Sequence, residues 1–149
     1  MRANSKIATS NKFLKQMTSN AVYLGELRVE ATHLKSGEIM ITDAPIDNNG
    51  KGEAFSPTDT VATALATCML TIMGIRASKK GINIQGAKAE ITKTMASNPR
   101  RISKIEVKIS MPKIGIESNF QELLEMAAKS CPVAQSIHPD IEQIVDFVW

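Results

Sequence analysis

The 149-residue sequence is poor in the residues that usually announce a chemistry: two cysteines, two histidines, one tyrosine and one tryptophan. Two cysteines are too few for a disulfide scaffold, and no secretory signal peptide is expected at the start. A reducing, cytoplasmic setting is therefore expected. Two histidines beside two cysteines make a poor zinc set, so no metal is expected. Aromatic residues are only 4% of the chain, which leaves little for bases to stack on. The net charge of +3 also overstates the basicity of the folded part. Residues 1–16 carry Arg2, Lys6, Lys12 and Lys15 with no acid, which leaves 14 bases against 15 acids in the remainder. No nucleic-acid partner is expected. There is no Cys-x-x-Cys pair, no glycine-rich phosphate loop, no Gly-x-Ser-x-Gly and no notable carboxylate pair at helical spacing. No bound cofactor is expected. No internal repeat, low-complexity run or linker divides the chain, so one domain over residues 17–149 is expected. Residues 1–16 read as a loose basic extension or short peripheral helix; an acid-free start containing Ser and Thr also fits a transit peptide.

What the chain does have is a long apolar stretch at 56–80. Ser56 is placed to cap a helix, Pro57 suits its first position, and Asp59 stands three residues after the cap, as in a capping box. Arg76, Lys79 and Lys80 favour the negative end of the helix dipole, and Gly81 supplies a left-handed stop. Between these ends nearly every residue is apolar, small or Thr. Such a helix is expected to be buried on all sides. Its charged ends and Thr60, Thr63, Thr67 and Thr71 argue against a membrane span.

Alternation predicts strands around this helix. Residues 22–31 alternate as one strand, 35–37 read as a turn, and 38–42 as the returning strand. The polar run 47–52, with Gly50 and Gly52, leads into the helix. Beyond it, 87–95 and 105–111 alternate, with Ile105, Val107, Ile109 and Met111 on one face and a turn at 98–101. A second helix is predicted with Ser118 and Gln121 as a capping box and Phe120, Leu123, Leu124, Ala127 and Ala128 as its stripe. It stops before Pro132. A short helix is expected from Pro132, and Val145, Phe147 and Trp149 form one face of a last strand. Hairpins set apart from helices define an α+β class. One small sheet covers only one side of the central helix, so a homodimer is expected to cover the rest.

The chemistry that remains is that of the two thiols. Cys68, inside the apolar helix, reads either as a buried inert side chain or as a nucleophile. Cys131 would stand at the cap of the helix opened by Pro132, where free amides favour a thiolate, so local physics nominates it as the more acidic thiol.

The fragments 56–59 (Ser-Pro-Thr-Asp) and 64–68 (Ala-Leu-Ala-Thr-Cys), then Lys80-Gly81-Ile82, 98–102 (Asn-Pro-Arg-Arg-Ile) and 127–133 (Ala-Ala-Lys-Ser-Cys-Pro-Val) together resemble the OsmC/Ohr family of osmotically inducible and organic-hydroperoxide-resistance proteins. The resemblance implies an intertwined homodimer, its antiparallel sheets wrapping two long central helices. It also implies a cysteine-dependent peroxidase acting on organic hydroperoxides and hydrogen peroxide. By the same likeness Cys68 is the attacking thiolate and Cys131 the resolving thiol. An external dithiol of lipoyl type restores them, with neither metal nor membrane involved. Family members support the thiolate with an Arg from the first hairpin and an acid at the start of the central helix. Here Lys35 stands where that Arg is expected, with Arg28 and His33 nearby. Thr58 follows Pro57 where an acid often stands, and Asp59 comes one later. Asp59 is nine residues before Cys68, which on a regular helix turns it to the opposite side. It therefore reads as a cap as much as a catalytic acid. A binder of small apolar molecules, with its thiols as packing, is the alternative function.

Overall fold

The computed structural model describes residues 17–149; the basic extension 1–16 lies outside the described residues. The described residues up to Pro57 form one compact unit and Thr58–Trp149 a second.

The first unit is an antiparallel meander of β1 (Ser19–Gly25), β2 (Arg28–His33) and β3 (Ile39–Asp43). Alternation predicted a single strand over 22–31, and the structure breaks it into two. Glu26 and Leu27 both take positive φ, +51° and +62°, between paired Gly25 and Arg28. Positive φ at both central residues is the two-residue hairpin turn whose twist matches its strands. Asn-Gly is the usual signal for this turn, and Glu-Leu hides it. The conformation is held from outside instead: Leu27 N–H donates to the Tyr23 hydroxyl at 3.2 Å, the Leu27 carbonyl accepts from Ala44 N–H at 3.0 Å, and Lys51 pairs with Glu26. The second turn lies at 35–37 as expected, closed by His33 N–H to the Glu38 carbonyl at 2.8 Å.

Asp43, at the end of β3, is buried and ties this unit together. Its two oxygens accept from Arg28 Nε at 2.7 Å and Nη2 at 2.8 Å, and Glu53 N–H donates to Oδ2 at 3.0 Å. Arg28 Nη2 also donates to Glu53 Oε2 at 3.0 Å. A forked guanidinium matches a carboxylate geometrically and by charge, so the loop 44–55 is drawn back onto the strand that precedes it. The loop needs glycine at position 50, because a Cβ there would run into the Ala44 carbonyl. Among the described residues, no apolar side chain of the first unit is fully buried. Val22, Tyr23, Leu24, Ile39 and Met40 are all exposed.

The second unit is built on α1 (Pro57–Ser78), a 22-residue helix within the 56–80 stretch read as one long helix. β4 (Lys88–Ser97) and β5 (Arg100–Ser110) form a hairpin through a turn at Asn98-Pro99. The chain then crosses through α2 (Ser118–Lys129) and α3 (Pro132–Ser136), and β6 (Glu142–Val148) returns parallel to β5. The sheet order is β4-β5-β6. Ile105, Val107, Ile109 and Met111 supply its buried face, as their alternation predicted. Ala62, Leu65, Ala66, Met69, Met73 and Ala77 of α1 join them in one core cluster with Leu124 and Ala128 of α2.

Three expectations change here. The capping box at Ser118 does not form. Glu117 holds the cap position of α2 without a side-chain bond, and Gln121 Nε2 reaches back to the Ile116 carbonyl at 2.9 Å. Leu123, assigned to the buried stripe, is exposed. Within one protomer α1 is covered on one stripe only, not on all sides. Val61 and Ile75 are 43% and 47% exposed, and Leu70, Ile72 and Cys68 are half-buried. Length and composition alone would allow α1 to cross a bilayer, with a mean hydropathy of 1.5, but its buried stripe is packed into the protein core.

Two measurements follow from this packing. Leu65→Ala, at a fully buried position, should cost about 2–5 kcal/mol in urea unfolding through lost burial and the cavity left behind. Arg28 holds the Asp43 carboxyl below the usual carboxylate range. That stabilisation is present above the unfolded pKa of about 3.9 and is lost as pH falls through the lower folded value. Arg28→Lys, which loses the fork, should lower the melting temperature at pH 7. It should also raise the pH of acid unfolding. An unchanged acid transition would show that the fork contributes nothing.

Candidate active site

Cys68 lies halfway along α1, three residues from Leu65 and one from Met69, and is half-buried. Cys131 is fully buried at the position that caps α3. Its backbone is extended, with φ −64° and ψ 152°, because Pro132 disfavours helical geometry in the residue before it. Pro132 opens the next helix, and the Cys131 sulfur accepts from Ala134 N–H at 3.4 Å. Neither cysteine is in a disulfide. The fold nevertheless brings their side chains near each other, close enough for Cys68 to help raise the Cys131 thiol. Residues far apart in sequence thus become neighbours because α2 returns along α1 and ends beside its middle.

The cap position was expected to favour a Cys131 thiolate, and burial overturns that expectation. Burial pushes the Cys131 thiol up from its ordinary value, and the neighbouring Cys68 side chain adds to the rise. The amides of Ala134 and Val133 pull the other way without prevailing. A helix of five residues offers a weak dipole, whereas loss of water acts on the whole charge. Cys131 is therefore a buried neutral thiol with a hydrogen bond to its sulfur.

Asp59 is elsewhere. Its carboxylate pairs with Lys93 of β4, and nine residues of regular helix set it about 13.5 Å along the axis from Cys68. Lys93 was not anticipated, though a signal existed. Ala89, Ile91 and Met95 mark the inward phase of β4, and Lys93 occupies the same phase. A lysine turned toward a core calls for an acid, and Asp59 supplies it. In the first unit Arg28 is committed to Asp43 and Glu53. His33 Nδ1 meets Ser36 Oγ at 2.7 Å, and Lys35 is exposed on the turn. Asp43 and Glu53 also escaped the sequence reading, because nothing in their spacing links them to Arg28. Thr58 lies in the first turn of α1.

An apolar cleft of about 520 Å³ is lined by the neighbours of the two cysteines in sequence. Val61 and Ala64 form one side, on the same face of α1 as Cys68 at spacings of seven and four residues. Pro132, Val133 and Ile137 form the other, directly after Cys131, and His138 lies on the rim. A half-open thiol, a buried neutral thiol and an apolar approach suit attack on a greasy electrophile followed by disulfide closure. Among the described residues no group of three or more His, Cys, Asp or Glu gathers as a metal set would.

Comparison with solved structures gives the same architecture. A Psychrobacter arcticus protein, described as an osmotic stress induced and detoxification response protein, is 51% identical. The alignment covers 89% of this chain and 96% of that one, with a TM-score of 0.85. An organic hydroperoxide resistance protein OsmC from Legionella pneumophila is 16% identical over 90% of this chain and 98% of its own, with a TM-score of 0.70. An organic hydroperoxide resistance protein from Elizabethkingia anophelis is also 16% identical, over 89% and 96% of the two chains, with a TM-score of 0.65. At that identity these two show the fold alone. A search of curated proteins found no match. The family model for OsmC-like proteins matches residues 50–145, a span that holds α1, both cysteines and most of β6. On that match, and on the Psychrobacter likeness, the chain belongs to the OsmC/Ohr family.

Proposed function

We propose that this protein is a cysteine-based peroxidase that reduces organic hydroperoxides and hydrogen peroxide as a homodimer. The observation that carries the reading is the meeting of Cys68 and Cys131 beside an apolar cleft. Cys68, the more open thiol, attacks the distal oxygen of the hydroperoxide as its thiolate. The O–O bond breaks, the alcohol leaves with a proton, and Cys68 becomes a sulfenic acid. The Cys131 sulfur then attacks the Cys68 sulfur; a disulfide forms and water leaves. An external dithiol of lipoyl type restores both thiols by exchange and is itself oxidised to a disulfide. The cycle requires a reducing compartment, in keeping with a cytoplasmic protein. It uses no bound cofactor.

The raised pKa of Cys131 supports this division of roles. A thiol that stays neutral does not compete for peroxide; in the resolving step it gives up its proton as its sulfur attacks, and the proton leaves with the sulfenic hydroxyl as water. Asp59 is assigned a positioning role through Lys93, since the helix holds it away from the reacting sulfur. The dimer is inferred from uncovered apolar surface. Val61 and Ile75 of α1 and Val22, Tyr23, Leu24, Ile39 and Met40 of the first unit are all exposed in one protomer. Exposed apolar side chains in this number mark an interface, and a second copy is the simplest cover.

Stoichiometric cumene hydroperoxide should convert the wild type to a Cys68–Cys131 disulfide without free thiol, seen by mass spectrometry after alkylation. Cys131→Ser should trap a sulfenic acid at Cys68 that over-oxidises on further exposure. Cys68→Ser should consume no peroxide faster than free cysteine does. A sulfenic acid formed only at Cys131 would reverse the roles. Inertness of both thiols would favour the binder of small apolar molecules.

Sedimentation at micromolar concentration should give a dimer, and Ile75→Glu should dissociate it. At an exposed site of a monomer the same change would alter stability by only about 0.5 kcal/mol. A well-folded monomeric wild type would defeat the assembly.

A further inference from the structure

We propose that the cleft at the C-terminal end of α1 binds a single-chain amphipathic carboxylate, of which a fatty acid is the simplest member. This site is separate from the thiol cleft and does not depend on the peroxidase reading. Arg76, Lys79 and Lys80 line one wall. Phe120, Leu123, Met126 and Ala127 of α2 line the other, enclosing about 430 Å³. A second depression of about 500 Å³ shares Lys80, Phe120 and Leu123 and continues over Ile82, Ile114 and Ile116. Volumes of about 300–1,000 Å³ are typical of small-molecule sites.

Two properties of this cleft point to one ligand chemistry. The first is an uncompensated positive mouth. None of Arg76, Lys79 and Lys80 is ion-paired among the described residues. The negative end of a helix dipole offsets only about half a charge, so three cations leave a clear surplus. The lone acid on the combined lining, Glu117, lies in the second depression, which it shares with Lys80 but not with Arg76 or Lys79. The second property is an exposed apolar floor. Leu123 and Met126 are 57% and 66% exposed on a helix whose opposite stripe is buried. An anion at the mouth and an alkyl chain along the floor satisfy both. A concave, elongated floor suits one chain rather than the flat face of a bilayer.

The test is titration calorimetry of the full-length protein with dodecanoate below its micellar concentration. One saturable site per chain is expected, and each methylene removed should weaken binding by up to about fourfold. R76Q/K79Q/K80Q should weaken dodecanoate about tenfold or more and leave dodecanol unchanged. L123S/M126S should weaken both ligands. All five positions are exposed, and a melting curve checks that each variant folds. Cys68→Ser should bind dodecanoate as the wild type does. Several results would overturn the proposal. These are absence of saturable binding, equal binding of dodecyltrimethylammonium, or indifference to the loss of the three cations. Loss of binding in Cys68→Ser would move the ligand to the thiol cleft. Tighter binding to phosphatidylglycerol vesicles than to dodecanoate would make this a membrane surface. A smaller sedimenting species for L123S/M126S would make it an interface between copies.

Discussion

The second unit depends on the packing of one stripe of α1 onto one face of β5. Leu65, Met69 and Met73 are fully buried, as are Ile105 and Ile109 opposite them in the same cluster. With about 25 cal/mol stabilising each Å² of apolar surface removed from water, this contact dominates the local energetics. It also fixes the rotation of the helix about its axis. Once Leu65 and Met69 point inward, Cys68 must sit at the edge of the stripe, partly open. Val61 and Ala64 must then line the same side. The position of Cys68 follows from the register of the core.

The first unit is organised by the opposite kind of force. Its described residues have almost no apolar core of their own, and a strongly constrained point among them is polar: the Arg28 fork on Asp43, reinforced by Glu53. A buried carboxylate without its cation would be costly, so this contact specifies where the loop 44–55 returns. An area-driven unit and a charge-driven unit respond to different perturbations. Cavity-forming substitutions act on the first kind, whereas pH and salt act on the second.

The elements with strong periodicity were legible in the sequence. The 22-residue helix, the inward face of β5 and the stop before Pro132 all followed from residue pattern and backbone stereochemistry. Three things were hidden, each for a physical reason. The Glu26-Leu27 turn is imposed by tertiary hydrogen bonds rather than by residues that prefer positive φ. The state of Cys131 depends on how deeply the crossover buries it, which a cap motif does not reveal. The Lys93–Asp59 pair joins a strand to a helix start 34 residues away, and only the phase of Lys93 along its strand hinted at it. The nearness of the thiols was a matter of family resemblance, since no local spacing connects residues 68 and 131.

The parallel pairing of β5 and β6 has a consequence for when the thiols meet. The β4–β5 hairpin is local in sequence, but β6 joins only after the chain has crossed through α2 and α3. Non-local pairings of this kind form late, because loop closure must precede the contacts that reward it. Cys131 lies inside that crossover. Until the last strand is synthesised and docked, the chain carries two ordinary, separate thiols that are open to adventitious oxidation. The nearness of Cys68 and Cys131 is thus a property of the finished topology, and its appearance would report complete folding more faithfully than helix content does.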